Sequence, residues 1–329
     1  MRVAINGMGR IGRLLFRRLI DDTGIDLVAI NDIMDTENLV YLLKYDSLYG
    51  SFNHSMHFSN GLITVGEKEV VAMKEDAPTG NLWKNLGVDI VLECSGKFTT
   101  RAGAEKHLSA GAGKVLLSTT GSADIPLLIY GFNHHHYNDE VTIISPGGCM
   151  TNCSVHVLYI LNSIGIESAQ INILHSYTSR QELVDTAHTQ FRRGRAAAES
   201  IIPVEIDLAH SLERLLPLKD KIASVSTRVP VTNGAMADFT VQLSEHKTKE
   251  EINILFKKAA MNDYKDILAY TEDPLVSADI KGNTNSCVID GTLTSVIGRQ
   301  VKLIAWFDNE FGYTSRMIDW LRYIMSSKT

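Results

Sequence analysis

The sequence predicts two domains: an α/β domain built on a parallel sheet, and an α+β domain whose sheet is mostly antiparallel. In the first half, short apolar strands alternate with helical patterns, which is typical of a parallel sheet flanked by helices. In the second half, strands of alternating hydrophobicity occur with helices to one side. With 329 residues, the chain is long enough to bury two substantial cores.

The composition is that of an ordinary soluble enzyme, with 44% hydrophobic and 21% charged residues. A net charge of −6 gives no reason to expect nucleic acid or an anionic membrane as a partner. The four cysteines do not form the framework of a disulfide-rich domain, which predicts a reducing compartment. Neither a signal peptide nor a long apolar run is visible, so we expect a cytoplasmic protein.

The start of the chain predicts a dinucleotide site. A strand over Arg2–Asn6 leads into a Gly-x-Gly-x-x-Gly motif that opens an amphipathic helix, and a second strand over Asp26–Asn31 ends at Asp32. The glycines permit a tight turn and a close approach of the pyrophosphate to the helix N-terminus. Asp32 is spaced to bind the ribose diol and would repel a 2′-phosphate, so this Rossmann pattern favours NAD over NADP. The predicted cofactor-binding residues here are Asn6, Gly7, Gly9, Arg10, Ile11, Gly12 and Asp32.

Two later strands are expected to complete the cofactor crevice. One covers Val88–Leu92 and leads into the sequence Glu-Cys-Ser-Gly and then a helix, and the other, KVLLS, ends at Ser118. Ligands lie outside the carboxyl ends of parallel strands, so Ser95, Gly96 and Ser118 are predicted to line the crevice. Residues 55–72 alternate around a Gly-rich turn and predict a small antiparallel addition.

The run His134–His136 raises the question of a metal site. It has no carboxylate or cysteine at ligand spacing, and the side chains of adjacent residues point in different directions. A solvated loop is therefore the favoured interpretation, and no metal is predicted.

Cys149 lies where a strand pattern changes into a helix pattern. The β-branched run VTIIS precedes it, and apolar residues at helical spacing follow it in SVHVLYILNSI. The cysteine is therefore expected at a helix N-terminus, where free N–H groups and the helix dipole favour a thiolate. Gly147 and Gly148 leave room for a ligand close to the backbone. A nucleophile is one interpretation of this pattern, and a buried structural thiol is the other.

His175 is the candidate base for this nucleophile. A strand over Ala169–His175 delivers the histidine to a strand end, so the candidate thiol and the candidate base both occupy the ends of elements. A structural histidine is the alternative from the sequence alone. The long polar segment 178–201 is either a functional loop or a solvated surface.

The rest of the second half predicts strands and two helices. The strand patterns are IASVSTRVPV, MADFTVQL, CVIDG and VKLIAWFD. Thr248 begins a capping box, Thr-Lys-Glu-Glu, that opens the helix EINILFKKAA. A terminal helix is predicted over Thr314–Met325.

A series of motifs resembles the glyceraldehyde-3-phosphate dehydrogenase family from the first residues to the last helix. These motifs are INGMGRIGR, AIND, KYDSLYG, ISPGGCMTNC, HSYTSRQ, RRGRAAAESIIP, TRVPV, YTEDPLVS and WFDNEFGY. The resemblance implies a homotetramer and an NAD-binding domain over residues 1–148, completed by a C-terminal helix over 313–329. It implies a catalytic domain over 149–312, with an S-loop at about 178–201. RRGRAAAESIIPV and VIDGTLT are also similar to the erythrose-4-phosphate dehydrogenases.

The resemblance also implies roles for individual residues. Cys149 would attack the aldehyde of a phosphorylated substrate, and His175 would accept a proton as hydride passes to NAD. Asn309 and Tyr313 match the family positions that orient the nicotinamide. Thr178 and Arg228 match those that hold the substrate phosphate, for which a hydroxyl and a guanidinium are well suited.

The sequence departs from the family pattern around the acyl acceptor. The family motif is Ser-Asn-Ala-Ser-Cys-Thr-Thr-Asn-Cys, and this chain has Gly148 and Met150 where the motif has a serine and a threonine. The family's Thr-Gly pair aligns with Ile206 and Asp207, beside Glu205. Each donor lost to a charged partner is worth about 1.5–3 kcal/mol, so acceptor-phosphate binding is expected to weaken.

Three hypotheses follow. The first is a glyceraldehyde-3-phosphate dehydrogenase whose acceptor site is rearranged, with help from Arg195, and it ranks highest. The second is an enzyme of the same fold that hydrolyses its thioester, on erythrose 4-phosphate or a related sugar phosphate. The third is a non-catalytic homologue that binds NAD.

Overall fold

The computed structural model describes residues 1–327 and divides into two compact units. The first contains residues 1–148 and the C-terminal segment that begins at Arg316, and the second contains Cys149–Ser315. The last two residues of the predicted helix over 313–329 lie outside the described residues. No helix in the described part of the chain is long and apolar enough to cross a membrane.

The first unit contains a sheet of eight strands, three helices of its own and most of the C-terminal helix, and a separate two-stranded ribbon. Its strands are β1 (Arg2–Asn6), β2 (Asp26–Asn31), β3 (Tyr45–Asp46), β4 (Gly50–Ser51), β5 (Met56–Ser59), β6 (Leu62–Val65), β7 (Lys68–Met73), β8 (Ile90–Glu93), β9 (Lys114–Leu117) and β10 (Ile143–Ile144). Its helices are α1 (Arg10–Leu19), α2 (Thr36–Lys44) and α3 (Arg101–Ser109). The sheet order is β10-β9-β8-β1-β2-β7-β6-β5, and β3 pairs with β4.

The central strands of this sheet are parallel and almost wholly buried. β8 and β9 are buried at every position, as expected for strands covered by helices on both faces. The residues predicted as an antiparallel addition form β5, β6 and most of β7, but β7 also pairs in parallel with β2 and so extends the main sheet. The predicted strand VTIIS is reduced to two residues, and α2 was not predicted.

The order of the strands creates a switch point between β1 and β8. From β1 the chain proceeds through β2 to β7 on one side, and then crosses to β8, β9 and β10 on the other. Crossovers in opposite directions leave a crevice at the carboxyl ends of the two strands where the direction changes. The residues that follow β1 and β8 therefore lie at the edge where a dinucleotide binds in folds of this kind.

The second unit is built on a mixed sheet with three helices. Its strands are β11 (Ile166–Ser176), β12 (Ile202–Val204), β13 (Ile222–Val229), β14 (Ala235–Leu243), β15 (Leu268–Thr271), β16 (Cys287–Asp290), β17 (Ser295–Ile297) and β18 (Gln300–Phe307). Its helices are α4 (Cys149–Asn162), α5 (Leu208–Glu213) and α6 (Lys249–Met261), and α7 (Phe311–Ser326) begins in this unit. The order is β12-β13-β11-β14-β18-β16-β15, with β17 beside β18.

Most strand pairs of this sheet are antiparallel, as the sequence predicts, and β11–β13 and β15–β16 are parallel. Alternate residues of β14 are buried, which explains the alternating pattern of its sequence. The capping box at the start of α6 is confirmed, with Thr248 and Glu251 bonded to each other's backbone. α4 begins at Cys149 itself, before the first residue of the predicted helical run.

Candidate active site

The dinucleotide motif forms a tight turn between β1 and α1. Gly7 has φ of +95° and donates its N–H to the carbonyl of Asn31 at 2.8 Å. A Cβ at Gly7 would lie 2.3 Å from the backbone nitrogen of Ser95, so only glycine fits. Gly12 is equally constrained, because its Cβ would lie 2.1 Å from the carbonyl oxygen of Gly7. The loops after β1 and β8 thus pack against each other.

Open space beside Gly9 fits the pyrophosphate of a dinucleotide. A Cβ at Gly9 would meet no atom within 4 Å, and the residue is the N-cap of α1. The first N–H groups of a helix have no acceptor within the helix and attract anions. Asp32 lies at the end of the next strand, where its carboxylate accepts the N–H groups of Met8 at 2.5 Å and Met34 at 2.9 Å. These features suit NAD.

The two glycines predict different effects when each is replaced by alanine. Gly12→Ala is expected to lower stability by about 1–3 kcal/mol, because its Cβ would press on rigid backbone. Gly9→Ala is expected to leave stability unchanged and to weaken NAD binding by about tenfold or more, because its methyl group would occupy the open space. Calorimetric unfolding and NAD titration measure the two effects, and a Gly9→Ala protein with wild-type affinity would contradict the assignment.

The other predicted cofactor-binding residues of this unit have varied environments. The side chain of Asn6 is buried and bonded to Glu93 and Asn31, while Arg10 forms an ion pair with Asp46 at 2.6 Å. Ile11 lies in the first turn of α1. Ser95 and Gly96 are exposed in the loop after β8, and Ser118 donates its backbone N–H to Glu93 at the end of β9.

His134–His136 form one turn of 3₁₀ helix rather than an irregular loop. His134 packs on Tyr130 and Tyr323, with ring centroids 4.7 and 4.9 Å away, while its two neighbours are exposed. Within residues 1–327 there is no group of three or more histidine, cysteine or acidic side chains that could hold a metal ion.

In the second unit, Cys149 and His175 are brought together. The sulfur lies 3.8 Å from Nε2 of His175, which is 4% exposed. The other ring nitrogen, Nδ1, is 2.7 Å from the carbonyl of Ser176 and must donate to it. Nε2 of the neutral imidazole is therefore unprotonated and faces the thiol, which is the arrangement that a general base requires.

Burial shifts the pKa of each member of this pair toward its neutral form, although Cys149 itself is partly solvent-exposed. It raises the pKa of Cys149 to about 11, although Arg228 and the N–H groups of Met150 and Cys149 favour the thiolate. It lowers the pKa of His175 to about 3, with a further contribution from the charge of Arg228. Desolvation thus opposes the thiolate that the helix N-terminus favours, and the expectation of a thiolate from the sequence stays a prediction.

Arg228 is the cation next to the pair. It faces His175 in the register of the parallel strands β11 and β13, and its Nη1 donates to the carbonyl of Ser176 at 3.2 Å. The residue is only 8% exposed, and among residues 1–327 its buried Nε has no hydrogen-bond partner. A buried guanidinium with an unused donor and no paired carboxylate is suited to an anionic ligand.

Arg180 and Arg193 add positive charge around Arg228, and sequence reasoning did not single them out as anion ligands. Both lower its pKa, which falls to about 10 mainly through burial. The fold of segment 178–201 places them together, since the side-chain amide of Gln181 donates to the carbonyls of Arg193 at 3.0 Å and Arg195 at 2.8 Å. Among the described residues, neither Arg180 nor Arg193 has an ion pair with a carboxylate. Their proximity could not be recognised from sequence because it depends on how segment 178–201 folds back on itself.

The remaining predicted residues lie in the same unit. Thr178 follows the strand that carries His175, and its hydroxyl accepts the N–H of Arg180 at 3.4 Å. Asn309 is buried, and its Oδ1 accepts the hydroxyl of Ser176 at 3.2 Å and the N–H of Gly234 at 3.1 Å. Tyr313 is 4% exposed in the first turn of α7. Arg195, the predicted helper for an acceptor, pairs instead with Asp185 at 3.1 Å.

Comparison with known proteins identifies relatives of both units. The model of the glyceraldehyde 3-phosphate dehydrogenase NAD binding domain matches residues 1–101, and that of the C-terminal domain of the same family matches residues 148–309. The glyceraldehyde-3-phosphate dehydrogenase of Borreliella burgdorferi is 42% identical over 97% of this chain and 98% of its own length. The enzyme of the same name from Geobacillus stearothermophilus is 40% identical over 99% and 98% of the two chains.

Proposed function

The chain belongs to the glyceraldehyde-3-phosphate dehydrogenase family, and from this premise we propose that it oxidises glyceraldehyde 3-phosphate with NAD through a thioester on Cys149. The observation that carries the proposal is that Cys149, the first residue of helix α4, lies against the unprotonated Nε2 of His175. This pairing supports covalent catalysis over the alternative of a homologue that only binds NAD.

The tautomer of His175 defines the proposed first step. Nε2 of His175 accepts the thiol proton as the sulfur of Cys149 bonds to the aldehyde carbon, and the proton passes to the carbonyl oxygen. The backbone N–H of Cys149 lies near the reacting sulfur and can stabilise the oxyanion before that transfer. A hemithioacetal on Cys149 results, and the imidazole of His175 is again unprotonated at Nε2.

His175 serves a second time in the oxidation. Nε2 accepts the proton of the hemithioacetal hydroxyl, while Nδ1 remains bonded to the carbonyl of Ser176, which holds the ring in place. Bound NAD would supply the hydride acceptor, and loss of the hydride would leave a thioester on Cys149. We propose that Asn309 and Tyr313 orient the nicotinamide; the bond from Ser176 to Asn309 supports a shared arrangement with His175.

We assign the substrate phosphate to Thr178 and Arg228. The buried, unpartnered Nε of Arg228 supports this assignment, since a phosphate oxygen would supply the missing acceptor. Arg180 and Arg193 support the retention of phosphate as the acyl acceptor, because their charge can offset the donors lost at Gly148 and Met150.

The rate of NADH formation from glyceraldehyde 3-phosphate tests the function and its acceptor together. We expect multiple turnovers with inorganic phosphate and only a single burst of NADH without it, since the thioester would then persist. Sustained turnover without phosphate would identify water as the acceptor. A faster reaction with erythrose 4-phosphate, run in parallel, would reassign the substrate, and no NADH from either aldehyde would overturn the catalytic proposal.

We also propose that the chain forms a homotetramer in the cytoplasm, as the resemblance implies. The predicted S-loop supports an assembly, because it exposes four large apolar side chains: Leu183, Val184, Phe191 and Ile201. Phe191 is 89% exposed, which is unusual for a phenylalanine unless another chain covers it. Sedimentation velocity measures the assembly, and a monomer at micromolar concentration would contradict it.

A further inference from the structure

A row of buried polar side chains crosses the switch point of the first unit. Glu93, Asn6 and Asn31 end the neighbouring strands β8, β1 and β2 and face one another in register. Asn6 donates to Glu93 at 2.6 Å, and Asn31 donates to Asn6 at 2.7 Å. All three are at most 3% exposed. Buried polar side chains are normally hydrogen-bonded, and a buried network whose bonds are all formed is rigid.

The carboxylate of Glu93 also holds the loop that follows its own strand. Its Oε1 accepts the backbone N–H of Ser95 at 2.8 Å and the Ser95 hydroxyl at 2.5 Å, while Oε2 accepts Asn6. Ser95 is in turn the residue against which Gly7 packs. One buried carboxylate therefore connects the loop after β1 with the loop after β8, and these are the two loops of the dinucleotide crevice.

His107 and Trp83 determine which atoms face this carboxylate. Nε2 of His107 lies 2.9 Å from Oε2 of Glu93, and Nδ1 lies 3.1 Å from Nε1 of Trp83. The indole N–H can only donate, so Nδ1 must be an acceptor and the proton must be on Nε2. Trp83 thus holds His107 as a donor to Glu93, whose two carboxyl oxygens accept hydrogen bonds from Asn6, Ser95 and His107.

We propose that Glu93 is a positioning residue for NAD. His107 and Trp83 orient its carboxyl group. Through their bonds to this group, Ser95 and Asn6 hold the two crevice loops in the arrangement that binds NAD. The network lies wholly within the first unit, so the proposed effect is on cofactor affinity. The alternative is that these groups only satisfy one another's hydrogen bonds inside the core and affect stability alone.

The test compares two variants of His107 by isothermal titration with NAD, without any aldehyde. His107→Gln offers an amide N–H to Glu93 and an amide oxygen to Trp83, as the neutral imidazole does, whereas His107→Leu offers neither. We expect His107→Gln to bind NAD within about twofold of wild type, and both His107→Leu and Glu93→Gln to lose about tenfold or more. The titration does not depend on the proposed aldehyde reaction, so the two proposals can fail separately.

Val115→Ala is the matched control, since Val115 is fully buried in the same sheet and outside the network. It is expected to lower stability and leave NAD affinity unchanged. An affinity loss in Val115→Ala equal to that in His107→Leu would overturn the proposal in favour of a purely structural role. The proposal would also be overturned by wild-type NAD affinity in His107→Leu or by an equal loss of affinity in both His107 variants. An ¹⁵N spectrum that places the His107 proton on Nδ1 would overturn it as well.

Discussion

Replacement of Cys149 by serine is expected to reduce kcat for aldehyde oxidation by about 10⁴-fold or more while NAD affinity stays unchanged. A hydroxyl at this position is a much weaker nucleophile than a thiol, and it cannot form the thioester on which the proposed reaction depends. Steady-state NADH formation and NAD titration on the same preparation measure the two quantities. If the variant retained even one-tenth of the wild-type kcat, Cys149 would not be the nucleophile.

Cys287→Ser is the matched control for this prediction. Cys287 is a buried thiol on β16 of the same unit, and no catalytic or binding role is assigned to it. The control is expected to lose some stability and to retain kcat at temperatures well below unfolding. If it lost activity to the same extent as Cys149→Ser, the effect would report general damage to the unit rather than loss of the nucleophile.

Replacement of His175 by asparagine is expected to lower kcat by about 10²–10⁴-fold, the usual contribution of a general base. An amide nitrogen or oxygen cannot accept the protons that Nε2 receives in the two proposed steps. Alkylation of Cys149 by iodoacetamide should slow at the same time, because the thiol has lost its proton acceptor. His57→Asn, in an exposed strand of the first unit, should match wild type in both assays.

The same substitution should change acid stability in a defined direction. Folding lowers the pKa of His175 from 6.5 to about 3, so between these values the unfolded chain binds more protons than the folded one. Stability that is present above pH 6.5 is therefore lost as the pH falls through this window. The His175→Asn protein should lose less stability than wild type on acidification, and denaturant unfolding at several pH values measures this. An equal loss in both proteins would show that His175 is not buried in its neutral form.

Local sequence signals determined much of the secondary structure of this protein. The strand from Arg2 to Asn6, the glycine turn, the strand that ends before Asp32 and the capping box at Thr248 all form where the sequence predicts them. Cys149 likewise begins a helix. Such features depend on turn geometry, capping and periodicity within a few residues, and these are visible in a sequence. The family motifs extended this to the second unit, where local patterns alone left His175 and Arg228 undecided.

Tertiary structure decided the charge states and the partners of the candidate site. Arg228 lies beside His175 only because β11 and β13 pair in parallel across about fifty residues of chain, a distance that no local pattern spans. The raised pKa of Cys149 and the lowered pKa of His175 follow from burial, which the sequence pattern of a helix N-terminus does not reveal. Glu93, His107 and Trp83 are also separated along the chain, and each reads in the sequence as an ordinary core or surface residue. Desolvation and long-range strand pairing are properties of the folded chain. They determine the pKa values and the partners of the site residues, which the sequence alone does not show.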